Sequence, residues 1–176
     1  RVDVLVNNAG WASFGSVMNA PPEHMERMVR LNLLAPIALI QAVLPEMIAR
    51  GSGQIINISS VVGNQPIARM SIYSATKAAL SSLTAGLRME LRGTGVDVLL
   101  VSPGSTATGF FDAAATVDVN AVRLAESQYS PQRVARAVIT SSRRRRREVT
   151  LSVEGKTITA IRRLSHALAD AIMYRV

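Results

Sequence analysis

Three side chains define the chemistry this sequence can do. Tyr73 and Lys77 lie four residues apart in Tyr-Ser-Ala-Thr-Lys-Ala-Ala-Leu-Ser-Ser-Leu. The alanines and leucines of that stretch favour a helix, and its apolar positions recur three and four apart. On a helix the two residues share a face, with Cβ atoms roughly 5–6 Å apart. A cation beside a phenol favours the phenolate and lowers a pKa that starts near ~10. Bringing it near neutrality takes roughly 4 kcal/mol. One charge in water cannot supply that, so the site must be partly dry and hold further donors. A tyrosine tuned in this way acts as general acid or base. Alone, Tyr-x-x-x-Lys equally describes a surface tyrosine packed on a lysine stem. The third side chain, Ser60, ends the run Gln54-Ile-Ile-Asn-Ile-Ser-Ser60. This run reads as a buried strand that delivers a hydroxyl at its C-terminal end, where open α/β sheets bind ligands.

The elements that must hold these groups follow from periodicity and punctuation. Val2–Val6 is nearly all apolar and reads as a strand buried on both faces. Asn7-Asn8-Ala9-Gly10 is a turn by its chemistry. From Pro22 to about Arg50 the pattern is helical, with Met25, Met28, Val29, Leu33, Ile37, Ile40 and Leu44 as the apolar face. Pro36 cannot donate to the Asn32 carbonyl, so a water or another donor is expected there, and a regular helix through residues 32–36 would contradict this. Gly51-Ser-Gly53 precedes the strand Gln54–Ser59, and the Tyr73 helix continues to about Arg92. Gly93-Thr-Gly95 then leads into the strand Val96–Val101, which Pro103-Gly104 ends. A glycine at that point lets a planar ring approach the backbone. Residues 105–130 have no clean period and read as a substrate lid in which Phe110 and Phe111 contact an apolar substrate or pack on the domain. Pro131–Ser142 is a helix with Val134, Ala135, Val138 and Ile139 inward. Arg143–Arg147, a strand Val149–Val153 and an amphipathic helix over 156–175 follow.

Taken in order, Asn7-Asn8-Ala9-Gly10, Asn32, the Ser60/Tyr73/Lys77 spacing and Pro103-Gly104 resemble the short-chain dehydrogenase/reductase family. The resemblance implies an α/β, doubly wound parallel-sheet (Rossmann-type) domain, of which residues 1–176 look like the C-terminal two-thirds. It places the glycine-rich dinucleotide fingerprint ahead of the first strand, and no such motif occurs in the sequence. The implied catalytic set is Asn32, Ser60, Tyr73 and Lys77. Tyr73 exchanges the proton, Ser60 holds the substrate oxygen, Lys77 tunes the tyrosine and binds the nicotinamide ribose, and Asn32 anchors a water relay. Cofactor contacts carry over to Asn7, Ala9, Gly10, Tyr73, Lys77, Pro103, Gly104, Thr106 and Thr108. Thr106 stands where the family usually has Val or Ile, a change that a backbone contact survives. The implied function is NAD(P)-dependent interconversion of an alcohol and a ketone or aldehyde, with NAD or NADP as cofactor and no metal. Ser59 is the alternative hydroxyl, one residue too far from Tyr73.

Composition narrows the alternatives. The chain of 176 residues is 48% hydrophobic and 18% charged, which suits one globular domain. It has no cysteine, hence no disulfide framework or thiolate metal site, which suits a cytoplasmic location. No uninterrupted apolar run approaches ~18 residues, and the start does not read as a signal peptide. The net charge is +8, and removing the five charges of Arg143–Arg147 leaves +3. That run reads first as a solvated helix end, then as a weak contact with an anionic membrane surface. Nucleic acid is excluded as a partner, because no stacking aromatics interleave the arginines. No G-x-S-x-G elbow supports a hydrolase. The rival reading is a non-catalytic interaction or peripheral-membrane domain that reuses the fold. The family analogy adds a homo-oligomer packed through 22–50 and 72–92.

Overall fold

The apolar runs form a four-stranded parallel sheet in the order β1 (Val4–Asn7), β3 (Gly53–Ile58), β4 (Val96–Ser102) and β6 (Glu148–Thr150). The computed structural model describes residues 1–117 and 129–152, with Thr157, Ile161, Leu164, Ser165 and Ala169 beyond them. The 118–130 half of the expected lid up to residue 128, and most of the expected helix over 156–175 including Arg162 and Arg163, lie outside the described residues. A second, two-stranded parallel ladder pairs β2 (Ser13–Phe14) with β5 (Ala115–Thr116) and ties the segment after β1 to the segment after β4.

Between β1 and β3 the chain forms α1 (Pro22–Val29), a π turn over Arg30–Leu34, and α2 (Ala35–Ala49). The helix is therefore not regular before Pro36. Without an N–H on Pro36 the ladder loses a donor, and the turn widens by one residue so that Ala35 N–H reaches the Arg30 carbonyl. The wider turn aligns residues four apart, and Met28, Asn32, Pro36 and Ile40 all point inward. Val29, expected on the apolar face, is rotated out and exposed. By length and composition the continuous stretch Pro22–Ala49 could cross a membrane. Here its buried line packs on the sheet and on α3 (Ser71–Glu90), with Asn32 hydrogen-bonded across that contact.

The two faces of the sheet are covered unequally. Ile55, Val98, Leu87, Leu91, Ile40 and Met47 form one core between the sheet and the helices α2 and α3. On the opposite face Val138 of α4 (Pro131–Arg143) packs against Ile56, Leu99 and Val101. The inward side of α4 is Val134, Ala137, Val138 and Ser141; Ala135 and Ile139, expected inward, are exposed. The helical period places positions three, four and seven residues on from Val134 along one line. β1 was expected to be buried on both faces, yet Val4 and Val6 are each 48% exposed. β1 is the end strand, and only its Leu5 side is covered, by the α2–α3 core. The last strand is β6 at Glu148–Thr150, shorter than the Val149–Val153 expected. Where α2 and α3 turn back into the sheet, Gly95 at φ +80° leaves space that the Gly51 carbonyl fills.

Candidate active site

Parallel strands all end on one side, and the polar residues collect there. Ser60 follows β3 and caps a short 3-10 turn over Val61–Gly63, accepting from Val62 N–H at 3.3 Å. The same turn is stapled to the end of β4 by Val61 N–H donating to the Pro103 carbonyl at 3.0 Å. Tyr73 lies in the first turn of α3, 6% exposed, and its phenol shares a hydrogen bond with Ser60. Lys77, one turn on and 4% exposed, donates to the Ile58 carbonyl at 2.9 Å, with Nζ 5.9 Å from the Tyr73 ring centre. The three groups thus converge on one place.

The electrostatics differ from the simple cation–phenol picture. Burial pushes the Tyr73 phenol above its ordinary value, and the hydrogen bond with Ser60 only partly offsets it. Burial also lowers Lys77 to about 8. Both charged forms are desolvated together, and the ammonium is committed to a strand carbonyl rather than to the phenol. The expected lowering of the tyrosine by Lys77 is therefore not the dominant effect in this state.

Asn32 works through its side chain. Its Oδ1 accepts from Trp11 N–H at 2.9 Å, and its Nδ2 donates to the Trp11 carbonyl at 2.9 Å and to Thr76 Oγ1 at 3.0 Å. Thr76 in turn donates to the Tyr73 carbonyl at 2.8 Å. The amide holds the strand-end segment against the helix that carries Tyr73 and Lys77. Ser59 is removed as an alternative hydroxyl, because its Oγ is buried and donates to the Lys77 carbonyl at 2.9 Å.

The residues expected at a cofactor divide into two groups. Asn7 is buried, donates from Nδ2 to Asn57 Oδ1 at 2.8 Å, and keeps an unpartnered buried Oδ1. Ala9 is exposed beside it. A Cβ on Gly10 would lie 3.3 Å from Asn32 Oδ1 and 3.5 Å from Lys77 Nζ, so this glycine opens onto the candidate site. The second group follows β4 and turns inward on the chain itself. Gly104 makes room for Ser152 and the edge of the Tyr129 ring, so the planar ring that approaches it belongs to the protein. Thr106 Oγ1 donates to the Gly104 carbonyl at 3.0 Å, and Ala107 N–H to the Tyr129 carbonyl at 2.9 Å. Thr108 is exposed and its Oγ1 accepts from Phe110 N–H at 3.3 Å.

Several contributors were missed from sequence. Asn57, fully buried in an apolar strand, links Asn7 to Thr84 of α3, with Nδ2 donating to Thr84 Oγ1 at 2.9 Å. An asparagine inside Gln-Ile-Ile-Asn-Ile was the available signal. Trp11 donates from Nε1 to the Ala113 carbonyl at 2.8 Å, packs edge-on to His24 with ring centres 5.2 Å apart, and carries the Arg27 guanidinium 4.2 Å above its ring. His24 Nδ1 and Ser13 Oγ are 3.0 Å apart. No local spacing announces these contacts.

The short chain dehydrogenase family model matches residues 1–118. The ketoacyl reductase HetN of Nostoc sp. is 40% identical over 154 residues, covering 86% of this chain and 52% of that protein. A short-chain dehydrogenase from Streptomyces avermitilis superposes with a TM-score of 0.84 at 32% identity, over 99% of this chain and 69% of that one. A short-chain dehydrogenase from Sphingobium yanoikuyae, solved in complex with NADPH, gives 0.79 at 32% identity, over 97% and 66%. The chain spans about half the length of the curated relatives it matches.

Proposed function

The chain belongs to the short-chain dehydrogenase family, and from that premise we propose that it serves an NAD(P)-dependent oxidoreductase interconverting an alcohol and a ketone or aldehyde. The observation that supports this best is the convergence of the Ser60 hydroxyl, the Tyr73 phenol and the buried Lys77 ammonium at the C-terminal edge of the sheet. The residues fit a dinucleotide there. Gly10 leaves space beside Lys77 Nζ, and Asn7 keeps a buried oxygen that needs a donor. The NADPH of the Sphingobium enzyme supports the same assignment, with NAD or NADP both compatible with this chain. When bound, the dinucleotide gives or takes the hydride.

Each protein group then has a defined task. In reduction the Tyr73 Oη proton goes to the carbonyl oxygen, and in oxidation the same oxygen takes the alcohol proton. Ser60 donates to the substrate oxygen, where negative charge develops. Lys77 spends one donor on the Ile58 carbonyl and has others to offer a ribose hydroxyl and the phenol. Asn32 fixes Trp11 and Thr76, and so the relative position of the β1 loop and α3. Gly10 and Ala9 give backbone access on the adenosine side. Pro103, Gly104, Thr106 and Thr108 support the nicotinamide side from the turn after β4.

The reading includes a cytoplasmic location, a homo-oligomer, and a weak contact of exposed Arg143–Arg147 with an anionic membrane surface. Tyr73→Phe separates it from a non-catalytic role. Oxidation of NADPH or NADH with a ketone should fall by roughly 10²–10⁴, the range of general acid–base catalysis. Thermal stability and binding to anionic vesicles should stay unchanged. Full turnover by Tyr73→Phe would sink the enzyme reading.

A further inference from the structure

Beside the Tyr73 ring the chain places its own aromatic side chains. The Phe110 ring centre is 5.7 Å from that of Tyr73, Phe111 meets Phe110 edge-on at 5.5 Å, and Phe111 lies 6.0 Å from Phe14. Val62, Met70 and Met28 complete an apolar cluster around them. Polar groups near this cluster are Ser60, Ser13 and His24, the last two bonded to each other, and Lys77 beneath. The guanidinium of Arg27 is occupied on the Trp11 ring, and Arg69 is exposed. Such walls suit an aromatic or aliphatic group. A described void of about 10 Å³, lined by Ser13, Met28, Ile72 and Arg69 among others, is not bordered by Tyr73. Tyr73 is 6% exposed, and Phe110 is among the side chains packed against its cluster.

Among the described residues, the segment that carries Phe110 is held by backbone pairing, side-chain bonds and packing on the core. β5 pairs with β2, Thr108 Oγ1 accepts from Phe110 N–H, and Trp11 Nε1 donates to the Ala113 carbonyl. Trp11 is itself gripped on both backbone atoms by Asn32. The Trp11 and Asn32 side chains in series therefore connect the turn that carries Phe110 to the helix that carries Tyr73.

We propose that Phe110 is a plug that the substrate's apolar group replaces against the Tyr73 ring, with Trp11 latching the turn that carries it. The substrates are then ketones or aldehydes, with their alcohols, that bear an aromatic or bulky aliphatic substituent. This rests on the oxidoreductase reading above for the word substrate, but binding can be measured without turnover. The probes are 4-phenyl-2-butanone and, as the polar control, hydroxyacetone, with Kd read by ligand-observed NMR. Phe110→Ala removes the competitor and should tighten 4-phenyl-2-butanone roughly tenfold, about 1.4 kcal/mol, without moving hydroxyacetone. Phe110→Leu should give a smaller gain, and it guards against a fold damaged by the alanine. Trp11→Phe keeps the packing but loses the hydrogen bond; it should raise the association rate of 4-phenyl-2-butanone and speed hydrogen exchange in residues 109–114. All three gains should persist in a Tyr73→Phe background, which keeps the ring and loses turnover, so a failed activity assay leaves this test intact. Unchanged or weaker binding of 4-phenyl-2-butanone by both Phe110 variants would overturn the proposal. So would an equal gain for hydroxyacetone.

Discussion

At the residue scale, the buried Tyr73–Lys77 pair makes stability depend on pH in a way that can be signed. Lys77 titrates near 8 in the folded chain against an ordinary 10.5. Between these values the unfolded chain holds a proton that the folded chain lacks, so stability rises as pH climbs from about 8 towards 10.5. Below 8 the burial of the ammonium costs about 3 kcal/mol in full. Tyr73 acts in the opposite sense. Its folded value is raised above 10.0, so above pH 10 the unfolded chain loses its proton first and stability falls. Thermal melts should therefore climb from about pH 8 and peak near pH 10. Lys77→Met should abolish the rising limb and melt higher than the parent at pH 7, since an apolar side chain of similar length replaces a desolvated charge. A rising limb that survives in Lys77→Met would assign it to another group.

At the scale of elements, strands and helices are held in register by buried amides. Asn57 bridges β1 and α3, because its Oδ1 accepts from Asn7 and its Nδ2 donates to Thr84. Asn57→Ala strands the Asn7 Nδ2 donor in the interior and should cost about 1–3 kcal/mol in chemical unfolding. Thr84→Val deletes the hydroxyl and leaves Asn57 Nδ2 without its acceptor, but the Asn7–Asn57 bond survives, so it should cost less than Asn57→Ala, which removes both. A cost for Asn57→Ala no larger than that of Thr84→Val would mean that the bridge carries no weight. These bonds also mark where sequence reading stops. Ser60, Tyr73 and Lys77 were legible because a strand end and one helical turn fix their spacing locally. The irregular turn before Pro36 was legible because a missing N–H is a local fact. The Asn32 clasp on Trp11 and the Trp11 bond to Ala113 join residues 21 and 102 positions apart, and no periodicity carries that information. The exposure of Val4, Val6, Val29 and Ile139 was misread for a related reason, since apolar type alone does not say which neighbour covers a face.

At the scale of the whole molecule, charge and apolar surface are distributed unevenly. The candidate site residues gather at the C-terminal ends of the strands, whereas Arg143–Arg147 cluster ahead of β6 at the other end of the sheet, with Arg145 paired to Asp97 at 2.9 Å. Among the described residues, the exposed apolar side chains include Val4 and Val6 on the end strand, with Val2 just ahead of it, and Leu34 at 50% exposure on the helix that also exposes Val29. An exposed edge strand with an apolar face templates indiscriminate pairing, whereas a helix face supports a defined assembly. The two predict different observables. Val4→Lys with Val6→Lys should lower turbidity on heating and leave the sedimentation coefficient and melting temperature nearly unchanged, because exposed positions usually shift stability by no more than about 0.5 kcal/mol. Leu34→Glu should instead lower the sedimentation coefficient, because a buried glutamate at a helix–helix contact costs more than the contact gains. A single species that sediments identically before and after Leu34→Glu would remove the helix face as the assembly surface.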